Sequence, residues 1–223
     1  MRCFHAFLVP TVLLLLLGGA GQSNAGPIIY DNLYPSELIG GLNSDFDPND
    51  VNIVNQAADD FMLTSGMTTI TGIHWLGFLS GADLDSILFD DFTIRIFNDA
   101  GGTAEVDPTV LDLNVGVVDV VSFSNVLEYS VDISPITLQA DTTYWLSIVN
   151  NTVGSPETWA WGIEYFDSGN NLFRMIDGDD WGTGVFNLAF NLTGPAIPEP
   201  TAAILFSTGF AVVGLAARRR SAS

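Results

Sequence analysis

From residue 127 to 133 apolar and polar positions alternate strictly, with Leu127, Tyr129, Val131 and Ile133 set against Glu128, Ser130 and Asp132. A period of two sends successive side chains to opposite faces, which marks a half-buried strand. Phe92, Ile94 and Ile96 alternate in the same way with Thr93, Arg95 and Phe97, predicting a strand over 91–98. Further strands are predicted over 28–33, 58–63, 69–79, 115–123, 143–149, 158–163, 172–176 and 185–192, where β-branched and aromatic residues dominate. Turn-forming residues separate these runs: Thr64-Ser65-Gly66, Ser80-Gly81-Ala82-Asp83, Asn98-Asp99-Ala100-Gly101-Gly102, Asp167-Ser168-Gly169-Asn170-Asn171 and Asp177-Gly178-Asp179. No stretch of a dozen residues in this part of the chain keeps an apolar stripe at helical spacing. The pattern predicts an all-β fold over 26–194, a single antiparallel β-sandwich of jelly-roll-like type, with no internal repeat.

The two ends follow a different pattern. Arg2, an apolar run over 7–17 and the small residues Ser23-Asn24-Ala25 form a secretory signal peptide over 1–25. Cleavage falls after Ala25 or after Ala20. An uncleaved anchor is the alternative, but the apolar run is shorter than the ~20 residues a span usually needs. Near the other end, Pro198-Glu199-Pro200 precedes an uncharged stretch over 201–217, followed by Arg218-Arg219-Arg220. At ~1.5 Å per residue that stretch reaches about 25 Å, enough for a short membrane helix with its flanks at the interface. The arginines act as a cytoplasmic stop, leaving the preceding chain outside.

The tripeptide, short span and arginine cluster, in that order over 197–220, resemble the PEP-CTERM sorting signal. Ile197 replaces the valine most usual before the motif. The resemblance implies recognition by an exosortase, an integral-membrane cysteine transpeptidase, with Pro198, Glu199 and Pro200 as recognition residues. It also implies a Gram-negative host that makes exopolysaccharide and biofilm. The prolines deny Glu199 a helix and hold it extended, a form that a protease-like site engages. A plain C-terminal anchor, with proline opening its helix, is the other reading of these residues. Ala57-Ala58-Asp59-Asp60-Phe61 and the 91–97 strand are also similar to β-sandwich domains common in PEP-CTERM proteins.

Composition narrows the chemistry. The 223 residues carry 26 acids and 6 basic residues, all arginine, for a formal net charge of −20. Between residues 26 and 197 only Arg95 and Arg174 face 25 acids, a balance of −23. Such a surface repels phosphate backbones and excludes nucleic acid as a partner. Divalent cations and neutral glycans remain compatible with it, and solubility alone also accounts for the acids. Cys3 falls in the signal peptide, which leaves the mature chain without cysteine or lysine and with one histidine, His74. Cys-His, Schiff-base, Ser-Lys and multi-histidine zinc chemistries are thereby excluded. His74 would serve a serine triad only if a serine and an aspartate converged on it, and no Gly-x-Ser-x-Gly elbow is present. Adjacent acids such as Asp59-Asp60, Asp90-Asp91 and Asp179-Asp180 point to opposite faces of a strand, so they make poor glycosidase dyads.

Two binding chemistries remain. Asp45, Asp47, Asn49 and Asp50 set hard oxygen ligands on one loop, as calcium prefers, and Asp177-Gly178-Asp179-Asp180 repeats this more weakly. An ordinary Asx-rich turn explains both segments equally well. Trp159 and Trp161 share a face at i, i+2, and Trp181 lies in a glycine-rich loop where a ring can meet a glycan. Trp75 and Trp145 read as core. The expectation is a non-enzymatic protein: exported through the secretory translocon, anchored in the inner membrane, sorted by exosortase through segment 195–223, and delivered to the cell surface or exopolysaccharide matrix. The alternative is a secreted carbohydrate-binding module, with calcium as an optional cofactor.

Overall fold

The structure is a computed structural model that describes residues 26–33, 38–46, 54–80, 91–116, 119–123, 126–151, 158–164 and 169–196. The signal peptide, Asp47, Asn49 and Asp50, the Pro198-Glu199-Pro200 motif and Arg218 to Arg220 lie outside these residues. Among the described residues the only regular elements are strands. They are β1 (Ile28–Asn32), β2 (Leu38–Asn43), β3 (Asp45–Phe46), β4 (Val54–Met62), β5 (Thr69–Ser80), β6 (Phe92–Asn98), β7 (Leu111–Val115) and β8 (Asp119–Phe123). There follow β9 (Val126–Thr137), β10 (Thr143–Asn150), β11 (Thr158–Glu164), β12 (Leu172–Arg174), β13 (Gly182–Thr183), β14 (Asn187–Leu188) and β15 (Phe190–Thr193).

These strands form two sheets, one of eight strands and one of seven. In the first, β5 pairs with β9 along one edge and with β11 and β15 along the other. The second runs β13-β12-β4-β3-β10-β6-β7, with β4 also paired to β10. Pairing is antiparallel except at one parallel bridge, Asn150 to Asp45.

Alternation explains why the sheets pack face to face. Phe92, Ile94 and Ile96 of β6 point into the shared core with Ala57, Phe61, Leu146 and Ile148 of the same sheet. Ile73, Trp75, Tyr129, Trp159 and Trp161 meet them from the first sheet. The Phe92 ring presents edge-to-face contacts to Trp75 at 5.0 Å, Tyr129 at 4.9 Å and Trp159 at 5.3 Å. Such pairs add about 0.5–1.5 kcal/mol each beyond the area they bury. Glycine at position 77 makes this packing possible, because a Cβ there would fall 2.3 Å from Trp159 Nε1. The buried indole N–H groups of Trp75 and Trp159 have no acceptor among the described residues. Each missing bond costs about 1–3 kcal/mol, which the buried area of two tryptophans must outweigh.

Two buried carboxylates bind the sheets to each other. Asp45 of β3 accepts from the Trp159 backbone N–H at 2.7 Å, and Asp59 of β4 accepts from Leu188 N–H at 2.7 Å. The loop expected to start at Asp45 therefore starts with a strand, and Asp45 is a fully buried latch. Asp45 is the only member of the expected calcium set among the described residues, and one of its oxygens accepts from a backbone donor of the opposite sheet.

Other boundaries also move. The strand predicted over 115–123 is two strands, β7 and β8, and 185–192 divides at Ala189 into β14 and β15. Ala189 donates to Gly162 O at 2.8 Å and accepts from Leu76 N–H at 3.1 Å, so it joins β11 to β5 as the partners change. The 172–176 strand stops at Arg174, where the chain enters a turn closed by Asp179 N–H to Ile176 O at 3.2 Å. The two ends of the fold lie side by side: β1 pairs with β15, and Gly194 N–H donates to Pro27 O at 2.9 Å.

Candidate functional site

Trp159 and Trp161 do share a face, but it is the inner one, and both rings are fully buried. Neither ring presents a face to solvent in this structure. Trp181 is half-buried over the outer face of the second sheet. Its Nε1 donates to Glu105 O at 3.1 Å, and its ring meets Phe97 edge-on at 5.5 Å. The Arg174 guanidinium lies 4.3 Å from the ring centre and so occupies one π-face.

Arg174 organises this outer face. It donates to Gln56 Oε1 at 2.7 Å and to Val106 O at 2.8 Å, and it pairs with Asp177. Arg95 reaches the other Asp177 oxygen at 2.9 Å and Asp112 at 3.1 Å. Asp177 thus bridges the only two arginines between residues 26 and 197. Burial lowers the Arg174 pKa against the pull of Asp177, yet a guanidinium stays charged at any ordinary pH. The second acidic segment therefore pins a strap across the sheet through Asp177. Among the described residues no three His, Asp or Glu side chains converge to hold a metal ion.

The outer face of the first sheet carries a row of cross-strand partners, Asp31, buried Asn191, His74, Ser130 and Asp119. A serine and aspartates do come near the histidine, but no hydrogen bond links Ser130 to His74 among the described residues. Ladder N–H groups lie in the sheet plane and are paired, so none forms an oxyanion hole above it.

His74 does confer a pH dependence. Burial lowers its pKa below the ordinary 6.5, opposed by Glu128 and Asp132, which flank it on β9. Asp119 and Asp31 end the row on β8 and β1, and β15 contributes only uncharged Asn191. With a lowered folded-state pKa, the unfolded chain takes up this proton first as pH falls. The associated stability is complete above pH 6.5 and is lost as pH drops through the folded-state value. His74→Gln should remove that part of the acid loss, so urea midpoints of wild type and variant should diverge from pH 6.5 downward. Parallel curves would show that His74 is not held neutral by the fold.

The described residues also enclose an open cleft of about 710 Å³ at one end of the sandwich. One wall is the β6–β7 loop with Asn98, Asp99 and Thr109; the other is the β9–β10 turn with Thr137, Gln139 and Thr143. Val110, Leu138 and Tyr144 form an apolar floor continuous with the core. Asp99 Oδ1 accepts from Trp145 Nε1 at 3.0 Å, and its two oxygens take the N–H groups of Gly101 and Gly102 at 3.0 to 3.1 Å. Both glycines sit at positive φ, 84° and 94°, which turns their N–H groups back onto Asp99. Nothing in the sequence announced the cleft, because its walls lie some forty residues apart.

No family model matches the chain, and no curated protein matches it either.

Proposed function

We propose that the chain is an exported structural or interaction protein of the cell surface or exopolysaccharide matrix, sorted by an exosortase at Pro198-Glu199-Pro200. The observation that best supports this is the adjacency of the two ends of the fold, closed by Gly194 N–H on Pro27 O at 2.9 Å. A unit whose first and last strands pair is completed without either flanking segment, so both can be removed while its pairing stays intact. We read its crossings between sheets as jelly-roll-like. The stretch from Pro195 to Pro200 reaches about 20 Å when extended, so an anchored precursor would hold its β1–β15 end close to the membrane.

Intact-mass measurement on protein from the native host tests this reading, comparing wild type with Glu199→Ala. Wild type should begin near Gly26, end near Pro200 and leave the inner membrane, whereas the variant should keep its arginine tail there. If both keep Arg218 to Arg220 and stay membrane-bound, sorting is refuted and the protein is a permanently anchored one. The second reading, a glycan-binding module, loses its support at Trp159 and Trp161 but gains it at the cleft.

A further inference from the structure

We propose that the cleft between the β6–β7 loop and the β9–β10 turn binds a short, uncharged oligosaccharide; this rests on the glycan-binding reading and gives it a different site. Its volume of about 710 Å³ lies within the usual range for small-molecule sites, roughly 300–1,000 Å³. Such sites are mostly apolar, whereas this one has a rim of hydroxyls and amides over a small apolar floor. A sugar has the matching surface, with hydroxyls around its edge and C–H groups on its ring faces.

The charge pattern narrows the class. Among the described residues no basic side chain lines the cleft, so phosphate, sulfate and uronate ligands would find no counter-charge there. The one lining carboxylate, Asp99, is committed to Trp145, Gly101 and Gly102, so an ammonium group would have to compete with three N–H donors. On the same wall Asn98 Nδ2 donates to Thr109 Oγ1 at 2.6 Å, and Thr109 donates to Glu105 at 2.8 Å. That chain fixes the orientation of the Asn98 amide and leaves its Oδ1 for a ligand hydroxyl. On the opposite wall the Gln139 and Thr143 side chains make no hydrogen bond within the described residues. The Tyr144 hydroxyl accepts from Gln139 N–H at 3.2 Å and keeps its own proton to donate. Groups that both donate and accept, without a net charge to satisfy, suit neutral sugars.

One wall of the cleft also lies near the point where the chain ends leave the fold. Thr137 on its wall shares a hydroxyl bond with Thr69 at 2.9 Å, and the Thr69 carbonyl lies 3.3 Å from where a Cβ on Gly194 would be. An anchored precursor would hold that wall close to the membrane, and release would free the cleft for matrix polymer.

The test uses the full chain in a detergent without sugar headgroups. The probes are oligosaccharides from partial acid hydrolysis of the host's own exopolysaccharide, separated by ion exchange into neutral, acidic and basic fractions. Saturation-transfer NMR and calorimetry should show binding of the neutral fraction. The Gln139→Ala/Thr143→Val double variant should weaken it by about tenfold. Its melting temperature should not change, since neither side chain is bonded among the described residues. Binding of neutral sugar that the double variant leaves unaltered overturns this site while keeping the glycan-binding reading. Binding of a charged fraction alone, or of no fraction, overturns the proposal. None of these outcomes depends on sorting, because the protein is already purified.

Discussion

Replacing Phe92 by alanine should cost about 3–5 kcal/mol of folding stability, the usual range for an aromatic ring deleted from a packed core. Several features favour the upper part of that range. The ring is fully buried and touches Trp75, Tyr129 and Trp159, all in the opposite sheet. Those three rings are large and braced by their own neighbours: Trp75 stacks on Tyr129 at 5.5 Å, and Trp159 occupies the space left at Gly77. They cannot collapse into the gap, so most of the cavity would remain. For a domain of this size the loss corresponds to a fall in melting temperature on the order of 10 °C. Phe92→Leu should retain much of the volume and lose less. Thr93→Ala, on the outer face of the same strand, should change stability by only a few tenths of a kcal/mol up to about one, since its bond to Asn114 is exposed. Calorimetric scans of the three variants provide the check. Equal losses at positions 92 and 93 would mean that β6 does not bury the face assigned to it.

This strand was legible in the sequence because burial and period coincide: Phe92, Ile94 and Ile96 alternate with Thr93 and Arg95, and only Phe97, buried on the outer face against Trp181, breaks the pattern. β11 was legible only in part. Trp159 and Trp161 alternate with Ala160 and Gly162, small residues that say nothing about which face meets water. Period two therefore established that the tryptophans share a face and left open which one. β2 went unseen because Gly40 and Gly41 interrupt it, and glycine carries no strand preference. The features that needed distant partners were out of reach. Gln56 meets Arg174 at a separation of 118 residues, and Asp59 meets Leu188 at 129. Local composition around Asp177 suggested a cation loop, whereas the fold delivers two arginines to it instead. The cleft is of the same kind: its first wall reads as an ordinary turn over Asn98 to Gly102, and its second carried no signal of its own.

Asp45 shows the difference most sharply, and its removal is the other large effect expected. Asp45→Ala should cost about 2–3 kcal/mol, because it leaves the Trp159 N–H buried without its acceptor. The bond is charge-assisted and short at 2.7 Å, and it crosses between sheets from a two-residue strand that also pairs with β4 and bridges β10. Asp45→Asn keeps an acceptor oxygen of the same reach but gives up the charge, so it should lose only about half as much. A carboxylate serving a backbone donor should behave identically with added calcium and with a chelator. Urea midpoints for wild type and both variants, each measured in the two conditions, separate the two roles. A loss that appears only when calcium is present would return Asp45 to a cation loop. A loss independent of calcium, ordered Ala above Asn above wild type, establishes it as the hydrogen-bonding link by which β3 holds β11.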